Sequence, residues 1–212
     1  MRVVEERNPR LNGINMMINW DEEIADLVYD KKNELIIKEL DKNPSLIDKF
    51  DECYMTVLMY ACDYNNYALI KILVARGANI NLIAADGESA LSTLIEKKDL
   101  FSNKALIFLL KHGANPSLMW LDGRSILHLA IFRDDLLKMR ILLKYGSNVN
   151  QQDSLLKEAP LHLAIRYKSS KVIKLLIDYR ADLTLKSHSG TPLALLGVNF
   201  TEEFMSKLDS LD

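Results

Sequence analysis

The sequence predicts an all-α solenoid of about six helix-turn-helix layers, joined by turn or hairpin fingers, and three observations carry that prediction. A short apolar phrase opening on Ser, Thr or Ala recurs at Thr56, Ser89, Ser125, Ala159 and Thr191, in steps of 33, 36, 34 and 32 residues. Gly77, Gly113 and Gly146 follow the openings at similar distances, in steps of 36 and 33 residues. Between each opening and its glycine, apolar residues return at the one-turn spacing of amphipathic helices. A fixed period of this size is the mark of a stack built one layer at a time.

Residues 1–19 show no clean period and read as an arm, with Met16, Met17 and Ile18 as docking residues and Trp20 as its anchor. Residues 20–212 read as a single domain, with layers near 20–50, 51–83, 84–119, 120–152, 153–186 and 187–212. The first layer is degenerate. Asp21 reads as an N-cap ahead of Glu22 and Glu23, which suit the positive end of a helix. Ile24, Leu27 and Val28 give its first helix, and Leu35, Ile36, Ile37 and Leu40 its second, before Pro44. Asp26, Lys31, Lys32 and Lys38 supply the polar exterior that a terminal cap needs.

In the inner layers Ser or Thr caps the free N–H groups of the first helix, and Pro160 and Pro192 stand where a donor would be wasted. Leu127 and Leu129, like Leu161 and Leu163, should face neighbouring layers on opposite sides, with Ala130 and Ala164 permitting close approach. Met139, Leu142 and Leu143 continue the core on one second helix, and Ile173, Leu176 and Ile177 on another. The third layer carries three extra residues, within Lys98–Lys104, and they are expected to lengthen its inter-helix turn. Arg180 stands where other layers have Gly, so a left-handed backbone there would be strained. In the last layer Gly197 marks a turn, and a short helix from Thr201 closes the stack with Phe204 and Leu208 inward.

Ala159-Pro160-Leu161-His162-Leu163-Ala164, Thr191-Pro192-Leu193-Ala194 and Gly77-Ala78-Asn79-Ile80-Asn81 resemble the ankyrin-repeat family, and the likeness recurs in register from about Trp20 to Leu208. The resemblance implies that His128 and His162 tie neighbouring turns together by hydrogen bonds. It also implies a concave face made of the fingers and the exposed ends of the first helices.

The composition, 49% hydrophobic and 26% charged, is ordinary for a soluble folded protein. The net charge is −2, with a pI near 6.1, so no basic excess is available for a phosphate backbone, and nucleic acid is not expected as a partner. Cys53 and Cys62 form neither a disulfide framework nor a zinc motif, which suits a reducing compartment. No signal peptide is read at the N-terminus, and no stretch reaches the roughly 18 apolar residues of a membrane span. The expected location is the cytoplasm, or a host cell after export without a cleaved signal. His128 and His162 are one layer apart, about 8–10 Å, too far for two zinc ligands that must each lie about 2 Å from the ion. No catalytic, cofactor or metal residues are assigned, and no enzyme is expected.

Mapped by register, the finger slots hold large apolar residues at Trp120, Leu121, Leu155 and Leu156, with Arg124 in the same finger as Trp120. The first-helix ends hold Asp63 and Tyr64, Glu96 and Lys97, Phe132 and Arg133, and Arg166 and Tyr167. Aromatic and guanidinium groups dominate interface hot spots. The partner-binding residues are therefore read as Trp120, Leu121, Arg124, Phe132, Arg133, Leu155, Arg166, Tyr167 and Tyr64. The expectation is a monomeric scaffold, adaptor or inhibitor gripping a protein or peptide. The alternative is an exported effector or ubiquitin-ligase-type adaptor that recruits a target to a separate enzyme.

Overall fold

The computed structural model describes residues 18–119 and 123–195. Five helix pairs stack in chain order: α1 (Trp20–Tyr29) with α2 (Asn33–Lys42), α3 (Val57–Asp63) with α4 (Tyr67–Ala75), α5 (Ala90–Glu96) with α6 (Leu100–Lys111), α7 (Ile126–Phe132) with α8 (Leu136–Lys144), and α9 (Pro160–Arg166) with α10 (Ser170–Asp178). A short 3-10 turn, Pro44–Asp48, follows α2, and α11 (Pro192–Leu195) opens a further first helix. The expected arm over 1–17, the finger residues 120–122 and the closing helix with Gly197, Thr201, Phe204 and Leu208 lie outside the described residues.

The inner first helices are short and apolar all round because each is covered on both sides. Val57 through Cys62 in α3, Ala90 through Ile95 in α5 and Ile126 through Ile131 in α7 are all buried. Ala61, Ala130 and Ala164 are wholly buried, as the close approach of neighbouring layers requires. Adjacent first helices pack closely, α1 on α3, α3 on α5, α5 on α7 and α7 on α9, whereas adjacent second helices meet more sparsely. The stack is tighter on the first-helix side and therefore curves toward it. One apolar column runs through all five layers, from Trp20 to Ala181.

Two details differ from the sequence reading. Helix α1 starts two residues earlier than a cap at Asp21 would place it: Asn19 holds the cap position, its carbonyl accepting from the N–H groups of Glu22 and Glu23. Burying Trp20 in the core draws it into the helix, and Asp21 instead pairs with Lys49 at 2.8 Å. The three extra residues of the third layer do not lengthen its inter-helix turn. Residues 97–99 make a three-residue link, like 64–66, 133–135 and 167–169, while α6 has twelve residues against nine in α4, α8 and α10.

The turn closures give the reason. In four layers a left-handed residue closes the first-helix turn: Lys31, Asn65, Asp134 and Lys168, with φ of 56°, 56°, 50° and 53°. The third layer has none, and Lys97 is extended. Asp99 caps α6 by accepting from the Ser102 N–H at 2.6 Å, and the Ser102 hydroxyl donates back to the Lys97 and Asp99 carbonyls. Added residues thus join a helix whose hydrogen bonds satisfy them, whereas a longer loop would leave polar backbone to be solvated. At the end of α5 the Ile95 carbonyl takes a bond from the buried ammonium of Lys138, one layer on, at 3.2 Å.

Asn recurs after the second helices for a reason the stack makes plain. A side chain four residues past the helix-ending position accepts from a backbone N–H in the next layer. Asn81 takes the Asn115 N–H at 2.7 Å, Ser117 the Asn148 N–H at 2.8 Å, and Asn150 the Asp182 N–H at 2.8 Å. Asp48 does the same for Asn79 at 2.8 Å. Each finger is closed by its own backbone bond, as from Asp51 to Met55, Ala84 to Glu88, Asp153 to Glu158 and Ser187 to Gly190.

Candidate partner-binding surface

The first helices end on the inner side of the curve, and their last residues meet those of the next layer on a regular diagonal. The final helical residue of one layer touches the residue just past the helix in the following layer. Tyr29 meets Tyr64 edge to face, with ring centroids 5.3 Å apart. Asp63 pairs with Lys97 at 2.8 Å, and Glu96 pairs with Arg133. Phe132 meets Tyr167 edge to face at 6.0 Å. Four consecutive seams are thus bridged at one register, aromatic at the outer two and ionic at the inner two.

The residues read from sequence as partner-binding fall into groups. Phe132 and Tyr167 are 39% and 51% exposed although they touch, so their contact leaves much of each ring open. The Arg124 guanidinium lies over the Phe132 ring, 5.2 Å from its centroid, extending the cluster into the finger. Leu155 stands on the next finger, 67% exposed. Arg133 is held by Glu96 of the preceding layer, and Arg166 by the buried Glu158 of its own layer. Tyr64 stands apart from this cluster, stacked on Tyr60 at 5.9 Å and against Tyr29. Trp120 and Leu121 lie outside the described residues. Sequence reasoning missed Tyr29, which is 61% exposed. It ends α1 as Phe132 ends α7, but the degenerate first layer hides that register.

The histidines hold fingers in place. The Nδ1 of His128 accepts from the Ser125 N–H at 3.1 Å, which leaves Nε2 to donate to the Glu158 carbonyl of the next finger at 3.1 Å. His162 repeats this, accepting from the Ala159 N–H and donating to the Leu185 and Gly190 carbonyls at 3.0 and 3.2 Å. Burial pushes the His162 pKa down, in keeping with a neutral ring that accepts on one nitrogen and donates on the other. Asp51 is likewise engaged: it accepts from the Tyr60 hydroxyl at 2.6 Å and from the Cys53 and Met55 N–H groups. That carboxylate, after burial itself, holds the phenol pKa above its ordinary value. Among the described residues no group of three or more His, Cys, Asp or Glu could hold a metal ion, and no helix is long and apolar enough to cross a membrane.

Comparison with known proteins agrees with this architecture. A family model described as ankyrin repeats (many copies) matches residues 40–94, and one described as ankyrin repeats (3 copies) matches residues 102–187. The chain is 28% identical over 175 residues to a fowlpox virus (strain NVSL) protein named as an ankyrin repeat protein, FPV230, covering 78% of this chain and 87% of the viral protein. Ankyrin repeats are protein–protein interaction modules, and the stacked pairs, the closed fingers and the layer-bridging histidines are their working parts here. On its repeat period, its helical stack and these matches, the chain belongs to the ankyrin-repeat family.

Proposed function

We propose that this chain is a non-enzymatic scaffold, adaptor or inhibitor whose concave face holds a segment of a partner protein. Residues 20–212 act as one binding domain, and the monomer is the binding unit. The observation that carries the reading is the cluster of Arg124, Phe132, Tyr167 and Leu155. Its rings are pre-packed against each other across a layer seam yet remain open to solvent. A pre-ordered aromatic and guanidinium surface loses little entropy on binding. Trp120 and Leu121 belong to the same reading as further contacts.

The test is affinity purification from the native cell with the wild-type chain, Phe132→Ala/Tyr167→Ala and Leu155→Glu, each checked for an intact melting transition. The expected result is a partner lost from both variants. A partner retained at wild-type levels by both folded variants would sink the reading. The fowlpox relative fits action within a host cell, and a more specific version of the proposal has the chain recruit its bound target to a separate enzyme. Copurification of a ligase or another enzyme along with the target would distinguish that version from simple sequestration.

A further inference from the structure

The concave face has an electrical polarity that the proposed function leaves unused. Summed over each finger and its first helix, formal charge is −2 in residues 49–64 and −2 in 82–97. It changes to +1 in 118–133, 0 in 151–167 and +1 in the finger 184–190. Asp122, outside the described residues, is included in that count. Internal bonds decide which of these charges face out. Asp51 and Asp153 are both buried and accept from N–H groups of their own fingers, Asp63 pairs with Lys97, and Glu158 is buried against Arg166.

Exposed Glu52 and Asp86 and half-buried Glu88 therefore face outward on one side, and exposed Lys157 and Lys186 on the other. The sign changes at the seam between the third and fourth layers, where Glu96 meets Arg133. The acidic side is crowded. Burial first, then neighbouring Glu96 and Asp86, push the Glu88 carboxyl above its ordinary range, against the Ser92 hydroxyl that donates to it at 2.7 Å.

We infer that the partner is an extended, charge-asymmetric protein segment, its basic block over the second and third layers and its acidic block over the two fingers that carry Lys157 and Lys186. Its middle carries an aromatic or aliphatic residue that seats on Phe132, Tyr167 and Leu155. Layers about 10 Å apart put the two blocks roughly 30 Å apart, which an extended chain crosses in about nine residues at ~3.3 Å each. Complementary potentials fix register and suppress wrong partners, so charge order should matter as well as composition. The inference rests on the concave-face reading above.

The test uses the full chain and two fluorescein-labelled peptides of about twelve residues and identical composition. One has a Lys block, a Trp-Leu centre and a Glu block; the other alternates Lys and Glu around the same centre. Fluorescence anisotropy should show the block peptide binding about tenfold more tightly, with the gap closing in 0.5 M NaCl, where the screening length is only about 4 Å. Glu52→Gln/Asp86→Asn/Lys157→Asn should abolish that preference; Asn at 86 and 157 keeps the turn chemistry. Equal affinities, no binding of either peptide, or a preference that survives neutralisation would each overturn the inference. Failure of the broader reading looks different. A native partner released by Phe132→Ala/Tyr167→Ala whose bound segment, mapped by crosslinking, lacks charge blocks would refute only the polarity.

Discussion

Arg180 offers the sharpest check on the backbone logic of the stack. It occupies the slot of Gly77, Gly113 and Gly146, and its φ is 63°, beside 86°, 96° and 89° for the glycines. An L-residue in this region is strained by about 1–2 kcal/mol. Glycine there gives back about 0.4–1 kcal/mol through the greater freedom of the unfolded chain, leaving a net gain near 1 kcal/mol for Arg180→Gly. Nothing else of consequence changes. The side chain is exposed, and the bond from the Arg180 N–H to the Ile177 carbonyl at 2.8 Å belongs to the backbone and survives. For a chain of this length, that gain raises Tm by about 2–4 °C. Gly146→Ala is the mirror experiment, because a Cβ there meets nothing within 4 Å and only the conformational cost remains. Differential scanning calorimetry should show Arg180→Gly melting higher than wild type and Gly146→Ala lower by a similar amount. A drop in Tm for Arg180→Gly would mean that the Arg side chain contributes more than the strain it causes, and a neutral Gly146→Ala would remove the premise itself.

Three further outcomes are expected. A double-mutant cycle on Phe132→Ala and Tyr167→Ala, read by urea unfolding, should give a coupling of about 0.5–1.5 kcal/mol for the edge-to-face pair; strictly additive losses would mean that the contact does not join the two layers energetically. Because burial depresses the His162 pKa, the unfolded chain binds a proton near the ordinary value of 6.5 while the folded ring stays neutral. This contribution is present in full above that pH and is lost as pH falls below it. The loss of stability between pH 7.5 and 5.5 should be smaller in His162→Gln than in wild type, and an identical loss would exclude His162 as its source. Cys53 is exposed, whereas Cys62 is buried with its thiol pKa pushed up chiefly by burial. A thiol reagent should therefore titrate one cysteine in the native protein and two in denaturant, and two fast-reacting thiols in the native state would contradict the packing of α3.

The repeat grammar was legible because it depends on the chain's local chemistry. Ser125 and Pro160 mark where first helices begin, Gly146 where a second helix ends, and Leu127 and Leu129 which faces are buried; each follows from capping, φ preference or one-turn spacing. His128 and His162 were readable as finger ties through the family resemblance, and Arg180 as an anomaly through its slot. The surface residues were readable only as positions. Phe132 and Tyr167 were picked out as exposed ends, but nothing in sequence says that they touch, and Tyr29 was missed because its layer lacks the repeat phrase.

What the sequence determined alone was therefore the period, the helical character and the apolar faces, all set by interactions a few residues apart. Only the stacked structure decided how one layer sits on the next. That offset makes the last residue of one helix meet the residue past the helix in the following layer, so that Glu96 finds Arg133 and Lys138 reaches the Ile95 carbonyl. It also accompanies the absorption of the three extra residues into α6, since the link before that helix is closed by Asp99 and Ser102 without a left-handed residue. Such pairings join residues some 34 to 43 positions apart, and their geometry comes from close packing between layers, which no local periodicity records.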